Sequence, residues 1–473
     1  MKRRTRLSFV AISLLSIVST NSCFSVTNKA VSNEVGININ AIRNGVCNHS
    51  NAIHYERKAP TLSKPGHIEF YLCSDCGKSF YDEACTQEIE NTQYGIKNKL
   101  DGRYIAPFTG TFTLVGKNIR QYLDAESDAD IIRALRNNSK YNDQLTRTIV
   151  WEESSSLPYT VELAQDRDFS DAIDTYKTNN NIFSFDGIFI PGETYYYRVK
   201  DANDSYLLDD CSFKVDDKYS LRPMKVDGVH NMRDLGGWTA KNGKKIPYGK
   251  VYRGGELTEI SAKGKETFLS KLGIKTEIDL REDGKNKQAI SDPRLNYQHC
   301  QIWNYTRVIP DYAVYLYNDD GDLVPLEHDP GSPVNIKKIF DLMADPNNYP
   351  FYFHCQAGAD RTGTICYLIN GLLGVSYEDL TKDFELTTFA IYGNRYRSDV
   401  DEETMTFTDT GIYDNGKAIW GKLHEVMMGR YGASSGKLYF AIENYLKTAC
   451  GVSDETIASV RYNILNEAVD FSD

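Results

Sequence analysis

The sequence predicts a multidomain chain in which a small Cys/His module and an all-β sandwich precede a C-terminal α/β domain. Three observations support this prediction. Cysteines and histidines concentrate in residues 45–90, short alternating strands recur in residues 145–216, and strands alternate with helices over residues 222–473. The length of 473 residues is enough for about two to four domains of ordinary size.

The composition indicates a globular protein and excludes several classes. With 41% hydrophobic and 25% charged residues, the chain is not wholly disordered, collagen-like or a polytopic membrane protein. Its net charge of −11 provides no overall positive field, so no nucleic-acid partner is expected. Ten cysteines in a chain of this length are too few for a fold held together mainly by disulfides.

The first residues have the features of a secretory signal peptide, which we assign to residues 1–25. Four of the first six residues are basic, and an apolar run from Leu7 to Val18 follows. That run is shorter than the roughly 20 residues that span a bilayer. We therefore expect an exported protein, secreted or associated with the cell envelope, with no transmembrane span after signal removal. Cys23, directly after Ser22, is a possible site for a lipid anchor.

Residues 45–90 contain two short-range pairs of metal-ligand side chains. Cys73 and Cys76 are three residues apart with a glycine next, which is the spacing at which two thiolates bind one tetrahedral zinc ion. Cys47 and His49 are the expected second pair. The segment resembles the small zinc-ribbon-like modules of secreted bacterial proteins, so the expected zinc is structural, because four protein ligands leave no open position for chemistry.

Two alternatives remain open for this module. His54 and His67 are reserve ligands for the zinc ion. Disulfides are the other alternative, because an exported protein meets an oxidising environment. The candidate disulfides are Cys73–Cys76 and Cys47–Cys85.

Residues 145–216 have the alternating apolar and polar pattern of short antiparallel strands separated by Asn, Asp and Gly turns. The early Trp151 and the late strand Tyr195–Val199 resemble a fibronectin type III sandwich. We expect the aromatic residues to form core rather than a ligand platform. The intervening residues 91–144 include a helical pattern, SDADIIRALRNN, that the sequence does not assign to any domain. The predicted strands are TIVWEE, YTVELAQ, IFSFDG, TYYYRVKD and CSFKVDD.

The C-terminal domain contains a strand, a short loop and a helix in succession. Lys275–Leu280 and Tyr349–Cys355 are predicted to be buried strands, and Thr362–Gly374 an apolar helix that ends at glycine. A tight loop between a strand and a helix N-terminus presents backbone amides to an anion. The loop His354–Gly363 has this position, and its sequence is HCQAGADRTG.

Each part of this loop suits phosphoryl chemistry. The inward amides and the helix dipole favour a thiolate at Cys355, which then acts as a nucleophile. Arg361 offers a planar fork for two phosphoryl oxygens. Thr362 can donate its hydroxyl to the sulfur, and Gly358 lets the loop turn without a steric penalty. The expected phosphate-binding residues are Gln356, Ala357, Gly358, Ala359 and Thr362.

The loop resembles the signature of the protein tyrosine phosphatase superfamily, and residues 225–470 as a whole are similar to the secreted bacterial tyrosine phosphatases. The resemblance implies a protein tyrosine phosphatase-like α/β domain, a phosphocysteine intermediate, no cofactor for catalysis, and a phosphorylated protein or small phosphomonoester as substrate. The matching stretches are NMRDLGGW (Asn231–Trp238), GKVYRGGEL (Gly249–Leu257), IDLRED (Ile278–Asp283), the loop itself, and GVSYEDLTKDFELT (Gly374–Thr387).

One position departs from relatives that act on phosphoinositides. Those relatives commonly have a lysine after the loop glycine, where this chain has Ala359. The missing cation removes a contact to a second phosphate, so phosphotyrosine is the favoured substrate. Phosphoinositide or inositol phosphate hydrolysis is the alternative, and so is a surface protein that only binds phosphorylated ligands.

The general acid has three candidates. Asp360 lies inside the loop and matches the aspartate that acts as the acid in relatives. Asp279 follows, although Arg281 could instead hold it in a structural ion pair, and Asp311 lies in the segment 303–325 that is similar to a movable acid loop. The residues expected to brace the loop are Asn231, Arg233, Asp234 and Arg253.

Overall fold

The structure, a computed structural model, forms two compact units. We call them the β-rich unit (described residues of 1–112, 147–185 and 193–214) and the α/β unit (described residues of 113–146, 186–192 and 215–473). The predicted signal peptide and Cys23 lie outside the described residues. The residues that the structure describes are 49, 51–56, 67–73, 78–89, 111–136, 147–151, 153–170, 172–185, 188–312, 314–317, 323–326, 331–390, 393, 395–408, 419–432 and 435–472.

A small antiparallel sheet occupies the predicted Cys/His segment. Its strands are β1 (Ala52–Tyr55), β2 (Phe70–Cys73) and β3 (Ser79–Phe80). They pair in the order β1-β2-β3, with Ala52 opposite Cys73. Cys73 is buried in a cluster with Phe80 and Cys85, so this small sheet has a core of its own.

The rest of the β-rich unit consists of two sheets whose aromatic side chains pack together. Its strands are β4 (Thr111–Phe112), β5 (Arg147–Val150), β6 (Tyr159–Ala164), β7 (Ala172–Thr178), β8 (Ile182–Phe185), β9 (Thr194–Lys200) and β10 (Tyr206–Val215). They pair as β4-β10-β9-β6-β7 and as β5-β8. The Phe185 ring of the smaller sheet lies 5.9 Å from Tyr197 and 6.2 Å from Phe213 of the larger sheet, measured between centroids.

The alternating pattern predicted this region well. It is rich in β-sheet, and Trp151, Tyr195 and Tyr197 are at most 3% exposed, which confirms that the aromatic residues form core. Strand β7 is not among the predicted strands, because its sequence AIDTYKT has few apolar residues to indicate a buried face.

The α/β unit is built on a sheet with four parallel strands. Its strands are β11 (Arg233–Asp234), β12 (Val251–Gly254), β13 (Thr276–Asp279), β14 (Asn296–His299) and β17 (Phe351–His354), with the hairpins β15 (Val314–Tyr317) to β16 (Leu323–Leu326) and β18 (Asp399–Asp401) to β19 (Thr406–Thr408). The sheet order is β11-β12-β17-β13-β14, and only the edge pair β11-β12 is antiparallel. Every residue of β12, β13 and β17 is buried, as expected for a parallel sheet covered on both faces.

Helices surround this sheet. They are α1 (Lys117–Leu123), α2 (Asp128–Arg136), α3 (Ala262–Glu266), α4 (Gly331–Ala344), α5 (Asp360–Leu372), α6 (Tyr377–Glu385), α7 (Ile419–Tyr431), α8 (Leu438–Thr448) and α9 (Asp454–Leu465), with a π-helical turn at Thr267–Lys271 and 3-10 turns at Tyr305–Val308, Pro346–Asn348 and Leu386–Phe389. The predicted strands at 275–280 and 349–355 and the predicted helix at 362–374 correspond to β13, β17 and α5, which confirms them. Among the helices within the described ranges, none is long and apolar enough to cross a bilayer.

Helices α1 and α2, which the sequence left unassigned, belong to the α/β unit. Helix α2 confirms the helical pattern at SDADIIRALRNN, and the Ser127 hydroxyl accepts a hydrogen bond from the Asp130 N–H (3.2 Å) at its start. Tyr122 and Leu135 lie in the same buried cluster as Phe384, far along the chain. The unit that contains residues 222–473 therefore also needs a segment about a hundred residues earlier.

We expect Leu135→Ala to lower the free energy of unfolding of the α/β unit by about 3 kcal/mol, because a fully buried leucine leaves a cavity in its core. Tryptophan fluorescence during urea unfolding measures this, since Trp238, Trp303 and Trp420 lie in the α/β unit and only Trp151 in the β-rich unit. Leu157→Ala, at a leucine that is 47% exposed, is the control. Equal stability of the two variants would show that α2 is not part of this core.

Candidate active site

The loop predicted to hold the chemistry lies at the centre of the parallel sheet. Strand β17 ends at His354, Cys355 follows directly, and α5 begins at Asp360. Strand β17 lies between β12 and β13, so the loop is at the carboxyl end of the middle strand, where open α/β sheets bind ligands. Cys355 is buried, whereas Gln356 is exposed at the mouth of the loop.

The loop packs tightly against the glycine pair of the stretch GKVYRGGEL. Gly358 has a φ of +66°, and a Cβ there would lie 2.2 Å from the carbonyl carbon of Gly254. Gly254 has no more room, since its own Cβ would lie 2.5 Å from the Tyr352 hydroxyl oxygen. The N–H of Glu256 also donates to the Gln356 carbonyl (3.0 Å). The positive φ confirms that Gly358 lets the loop turn, and neither Gly358 nor Gly254 has room for a side chain.

Two side chains hold the outer carbonyls of the loop. Asn231 Nδ2 donates to the carbonyls of Ala357 and Gly358 (both 3.1 Å), and Arg253 donates to Gly358 O from its terminal nitrogen (2.8 Å). The peptide plane places each carbonyl opposite the next N–H. Fixing these carbonyls outward therefore directs the N–H groups of Gly358 and Ala359 to the other side, as an anion site needs.

Beneath the loop, one carboxylate joins two buried arginines. Asp383, on α6, accepts from Arg233 Nε (2.9 Å) and from Arg253, and all three side chains are at most 7% exposed. Arg233 also donates to Asn231 Oδ1 (2.6 Å), so it reaches the loop through Asn231. Burial raises the pKa of Asp383, but the two guanidinium charges outweigh it and leave the pKa below its ordinary value. The cluster has one positive charge in excess, next to the loop carbonyl of Gly358.

Arg361 is paired in this structure with a carboxylate that the sequence did not single out. Its terminal nitrogen donates to Glu282 Oε1, which lies in the IDLRED stretch. The guanidinium also lies 5.9 Å from the centroid of the Trp303 ring. Glu282 thus holds one edge of the guanidinium, while the Arg361 side chain, 18% exposed, remains accessible from the loop.

Asp360 is held by two groups from elsewhere in the unit. Arg395 donates to both of its carboxylate oxygens, from Nε (2.8 Å) and a terminal nitrogen (3.0 Å), and the Tyr305 hydroxyl donates to Oδ1 (2.5 Å). Burial raises the pKa of Asp360, but the hydrogen bonds and charge of Arg395 outweigh it and hold the pKa below its usual range. The carboxyl group is 30% exposed, so it can reach a substrate.

The other two acid candidates have different surroundings. The Asp279 side chain is 0% exposed and accepts from Arg281 (2.7 Å) and from the Tyr297 hydroxyl (3.0 Å). Burial raises its pKa, but the hydrogen bonds from Arg281 leave it below the ordinary value. Asp279 is thus in the structural ion pair that the sequence allowed. Asp311 is exposed, and its carbonyl accepts a hydrogen bond from Arg430 (3.2 Å).

Asp383, Glu282, Arg395 and Tyr305 are the site residues that sequence reasoning missed. Asp383 and Glu282 lie within matching stretches, so the resemblance offered a signal for both. Arg395 and Tyr305 lie outside those stretches, and nothing in their local sequence indicates a contact with Asp360.

Comparison with known proteins settles the family. The model described as "Tyrosine phosphatase family" matches residues 224–466, just over half of the chain. The chain belongs to the tyrosine phosphatase family. This confirms the α/β phosphatase fold predicted from the five stretches, whereas the secreted character and the likeness to zinc ribbons and fibronectin type III domains stay predictions.

Two curated relatives are tyrosine phosphatases by name. A protein of Cupriavidus necator is 27% identical over 34% of this chain and 61% of its own length, so the chain spans less than two thirds of that relative. A tyrosine-protein phosphatase of Nostoc commune is 24% identical over 46% of this chain and 75% of its own length. A crystal structure of the core catalytic domain of the PP-IP phosphatase SIW14 from S. cerevisiae aligns with 33% of this chain and 76% of its own, at 12% identity and a TM-score of 0.20. A TM-score this low supports no assignment.

Two expectations for the phosphatase loop differ from the structure. Thr362 is buried, but its hydroxyl has no hydrogen-bond partner in the described part of the chain, so the expected bond to the Cys355 sulfur is not formed here. Asp234 does not brace the loop, since it accepts from Arg222 (2.9 Å) and from the N–H groups of Gly236 and Gly249. Asp234 directly follows Arg233 on strand β11, so its side chain points to the opposite face of the strand.

The predicted zinc ligands are only partly described. Cys47 and Cys76 lie outside the described residues. The His49 ring packs against Phe80 (4.6 Å between centroids), and Cys73 lies in the same buried cluster as Phe80. No group of three potential ligands converges within the ranges that the structure covers, and because two of the four predicted ligands lie outside those ranges, the zinc site stays a prediction. His54 instead contacts Glu69 (2.8 Å), and His67 Nδ1 lies 2.9 Å from the Ile68 carbonyl.

Proposed function

We propose that this chain is a cysteine-dependent phosphatase that hydrolyses phosphotyrosine-type monoesters through a phosphocysteine intermediate. The observation that supports this best is the position of Cys355 at the end of the central strand, with Arg361 and the helix N-terminus around it. The excess positive charge of the Arg233–Asp383–Arg253 cluster adds to it, because it favours a negatively charged group in the loop.

The proposed reaction has two steps. The Cys355 thiolate attacks phosphorus, a P–S bond forms, the ester P–O bond breaks, and the leaving oxygen takes a proton from Asp360. Water then attacks the phosphocysteine, Asp360 accepts a proton from that water, the P–S bond breaks, and phosphate and thiolate are released. Arg361 and the loop amides hold the phosphoryl oxygens in both steps.

Asp360 is the acid that the contacts favour. It is on the loop itself and partly exposed, whereas Asp279 is enclosed by Arg281 and Tyr297. The ion pair with Arg395 favours the carboxylate, which is the wrong form for donating a proton. A bound phosphate dianion has the opposite effect, since a nearby like charge raises the pKa of a carboxyl group. We therefore expect kcat to be highest on the acidic side of neutrality.

Phosphotyrosine is the proposed substrate class, because Ala359 is fully buried and directs no charge into the site. Hydrolysis of phosphoinositides or inositol phosphates is the second candidate. The third, a surface protein that only binds phosphorylated ligands, is disfavoured because Cys355 and Arg361 are both present in the arrangement that chemistry needs.

The N-terminal predictions complete the proposal. The basic and apolar start of the chain supports export, secreted or envelope-associated, and the mass of the mature N-terminus tests both signal cleavage and a lipid anchor at Cys23.

The Cys/His module is proposed to bind one structural zinc ion through Cys47, His49, Cys73 and Cys76. We expect about one zinc per chain in metal analysis of the purified protein, and a large loss in Cys73→Ser, since a tetrahedral site needs all four ligands. Cys300→Ser, at a buried cysteine of the α/β unit, is the control. A metal-free chain with a disulfide at Cys73 or Cys47 would contradict the proposal.

Hydrolysis of a phosphotyrosine peptide by the full chain tests the reaction. We expect activity in EDTA and no measurable activity in Cys355→Ser. In the wild type, we expect rapid quenching to trap a phosphoenzyme with phosphate on Cys355. Activity that needs added metal, or that survives Cys355→Ser, would contradict the thiolate mechanism. Turnover of inositol phosphates without turnover of peptides would instead support the second candidate, hydrolysis of phosphoinositides or inositol phosphates.

The pH profile tests the acid. A general acid must hold its proton, so kcat falls as pH rises through the pKa of Asp360. Arg395 lowers that pKa, so Arg395→Gln raises it and should move the basic limb of kcat to higher pH. Arg430→Gln, which removes an arginine bonded to the carbonyls of Pro310 and Asp311, should leave the limb in place. An unmoved limb in Arg395→Gln would exclude Asp360 as the titrating acid.

A further inference from the structure

Helices α1 and α2 precede the family match by about a hundred residues, yet α1 makes a buried polar contact within the phosphatase core. The Tyr122 hydroxyl donates to Glu385 Oε2 (2.6 Å). Tyr122 is 2% exposed and the Glu385 side chain 0%. Burial and the neighbouring carboxylate hold the pKa of Tyr122 well above its usual range, so the hydroxyl keeps its proton and remains a donor. A buried carboxylate needs such donors, because it has lost its water.

Glu385 uses its other hydrogen-bonding positions to hold one short segment. The backbone N–H of Arg397 donates to Oε1 (2.7 Å), and the guanidinium of the same residue donates to Oε2 (2.8 Å). Tyr122 and Arg397 thus share one buried carboxylate, and the position of residue 397 depends on it.

The same segment holds Asp360. Two residues before Arg397, the backbone of Arg395 is fixed at both ends by Thr388 Oγ1, which accepts from its N–H (2.8 Å) and donates to its carbonyl (2.7 Å). The Arg395 guanidinium then donates to both oxygens of Asp360. Tyr122 is therefore connected to Asp360 by hydrogen bonds through Glu385 to Arg397, by the backbone from Arg397 to Arg395, and by the Arg395–Asp360 ion pair.

Helix α2 contacts the continuation of this segment. Arg136 donates to Glu402 (2.6 Å) between β18 and β19, and the N–H of Phe407 lies 3.4 Å from Asp128 Oδ2. The Arg397 guanidinium is 4.9 Å from the centroid of the Phe407 ring. Residues 395–408 are thus held near their start by Glu385, which Tyr122 of α1 contacts, and near their end by α2.

We propose that Tyr122 is a positioning residue for the phosphatase reaction, which holds the segment 395–397 so that Arg395 orients Asp360 towards the leaving-group oxygen. The inference rests on the proposed function of Asp360 as the acid. It makes α1 and α2 part of the catalytic unit, although they lie outside the residues that match the family.

The dependence of the rate on the leaving group of the substrate distinguishes a positioning role of Tyr122 from a general effect on the stability of the fold. Aryl phosphates with a good leaving group, such as p-nitrophenyl phosphate, need little help from an acid, whereas phenyl phosphate needs a proton on its oxygen. Asp360→Asn in the full chain should lose about 100-fold in kcat/KM on phenyl phosphate and much less on p-nitrophenyl phosphate, since kcat/KM reports only the step in which the leaving group departs. Tyr122→Phe should show the same selectivity at a smaller size, about tenfold on phenyl phosphate, because the acid is displaced rather than removed.

Tyr349→Phe is the matched control. Tyr349 is a buried tyrosine of the same unit whose hydroxyl donates to the Met343 carbonyl (2.9 Å), away from the Asp360 contacts. It should lose stability without a change in leaving-group dependence. Inhibition by inorganic phosphate should remain at the wild-type level in Tyr122→Phe, since Cys355 and Arg361 are untouched.

The outcomes are distinct. If Asp360→Asn shows no leaving-group dependence, the acid assignment fails, and this inference fails with it. If Asp360→Asn shows leaving-group dependence but Tyr122→Phe behaves like Tyr349→Phe, Asp360 remains the assigned acid and the positioning role of Tyr122 is overturned. Equal losses on both substrates in Tyr122→Phe would also overturn it, because that pattern indicates damage to the phosphate loop.

Discussion

Two arginines and one aspartate are buried together beneath the loop, and the geometry of the site depends on them. Asp383 pairs with Arg233 and Arg253, and these side chains, with Asn231, fix the carbonyls that turn the loop amides inward. Burying three charges is costly, and removing one partner of such a set typically costs about 3–5 kcal/mol. Both guanidinium groups pair with the one carboxylate, and the surplus positive charge favours an anion in the loop above.

The local parts of this architecture could be predicted from sequence. Strand β17, the loop after it and helix α5 are consecutive in the chain, so periodicity and one glycine were enough to place Cys355 and Arg361. The ion pair of Asp279 with Arg281 was also foreseeable, since only one residue separates them. The contacts of Asp360 were not, because Tyr305 and Arg395 lie 55 and 35 residues away in the chain.

The same limit explains why α1 and α2 had no assigned domain. Their helical pattern is local and was correctly predicted, but Tyr122 and Arg136 contact residues more than two hundred positions later. The local spacing of residues in the sequence does not indicate that contact. The β-sheet expected in residues 145–216 was predicted correctly for the opposite reason, since β6 pairs with β7 and β9 with β10, the strands that follow them directly in the chain.

The order of the segments along the chain has a consequence for synthesis. Residues 113–136 leave the ribosome before β5–β10 of the β-rich unit and long before β17 and α5, against whose core they pack. At roughly 5–20 residues per second, the apolar faces of α1 and α2 remain uncovered for many seconds while the β-rich strands between them and their partners are made. A helper that shields Leu135 and Tyr122 during this interval would raise the yield of folded protein, and stalled or truncated chains would expose those faces to aggregation.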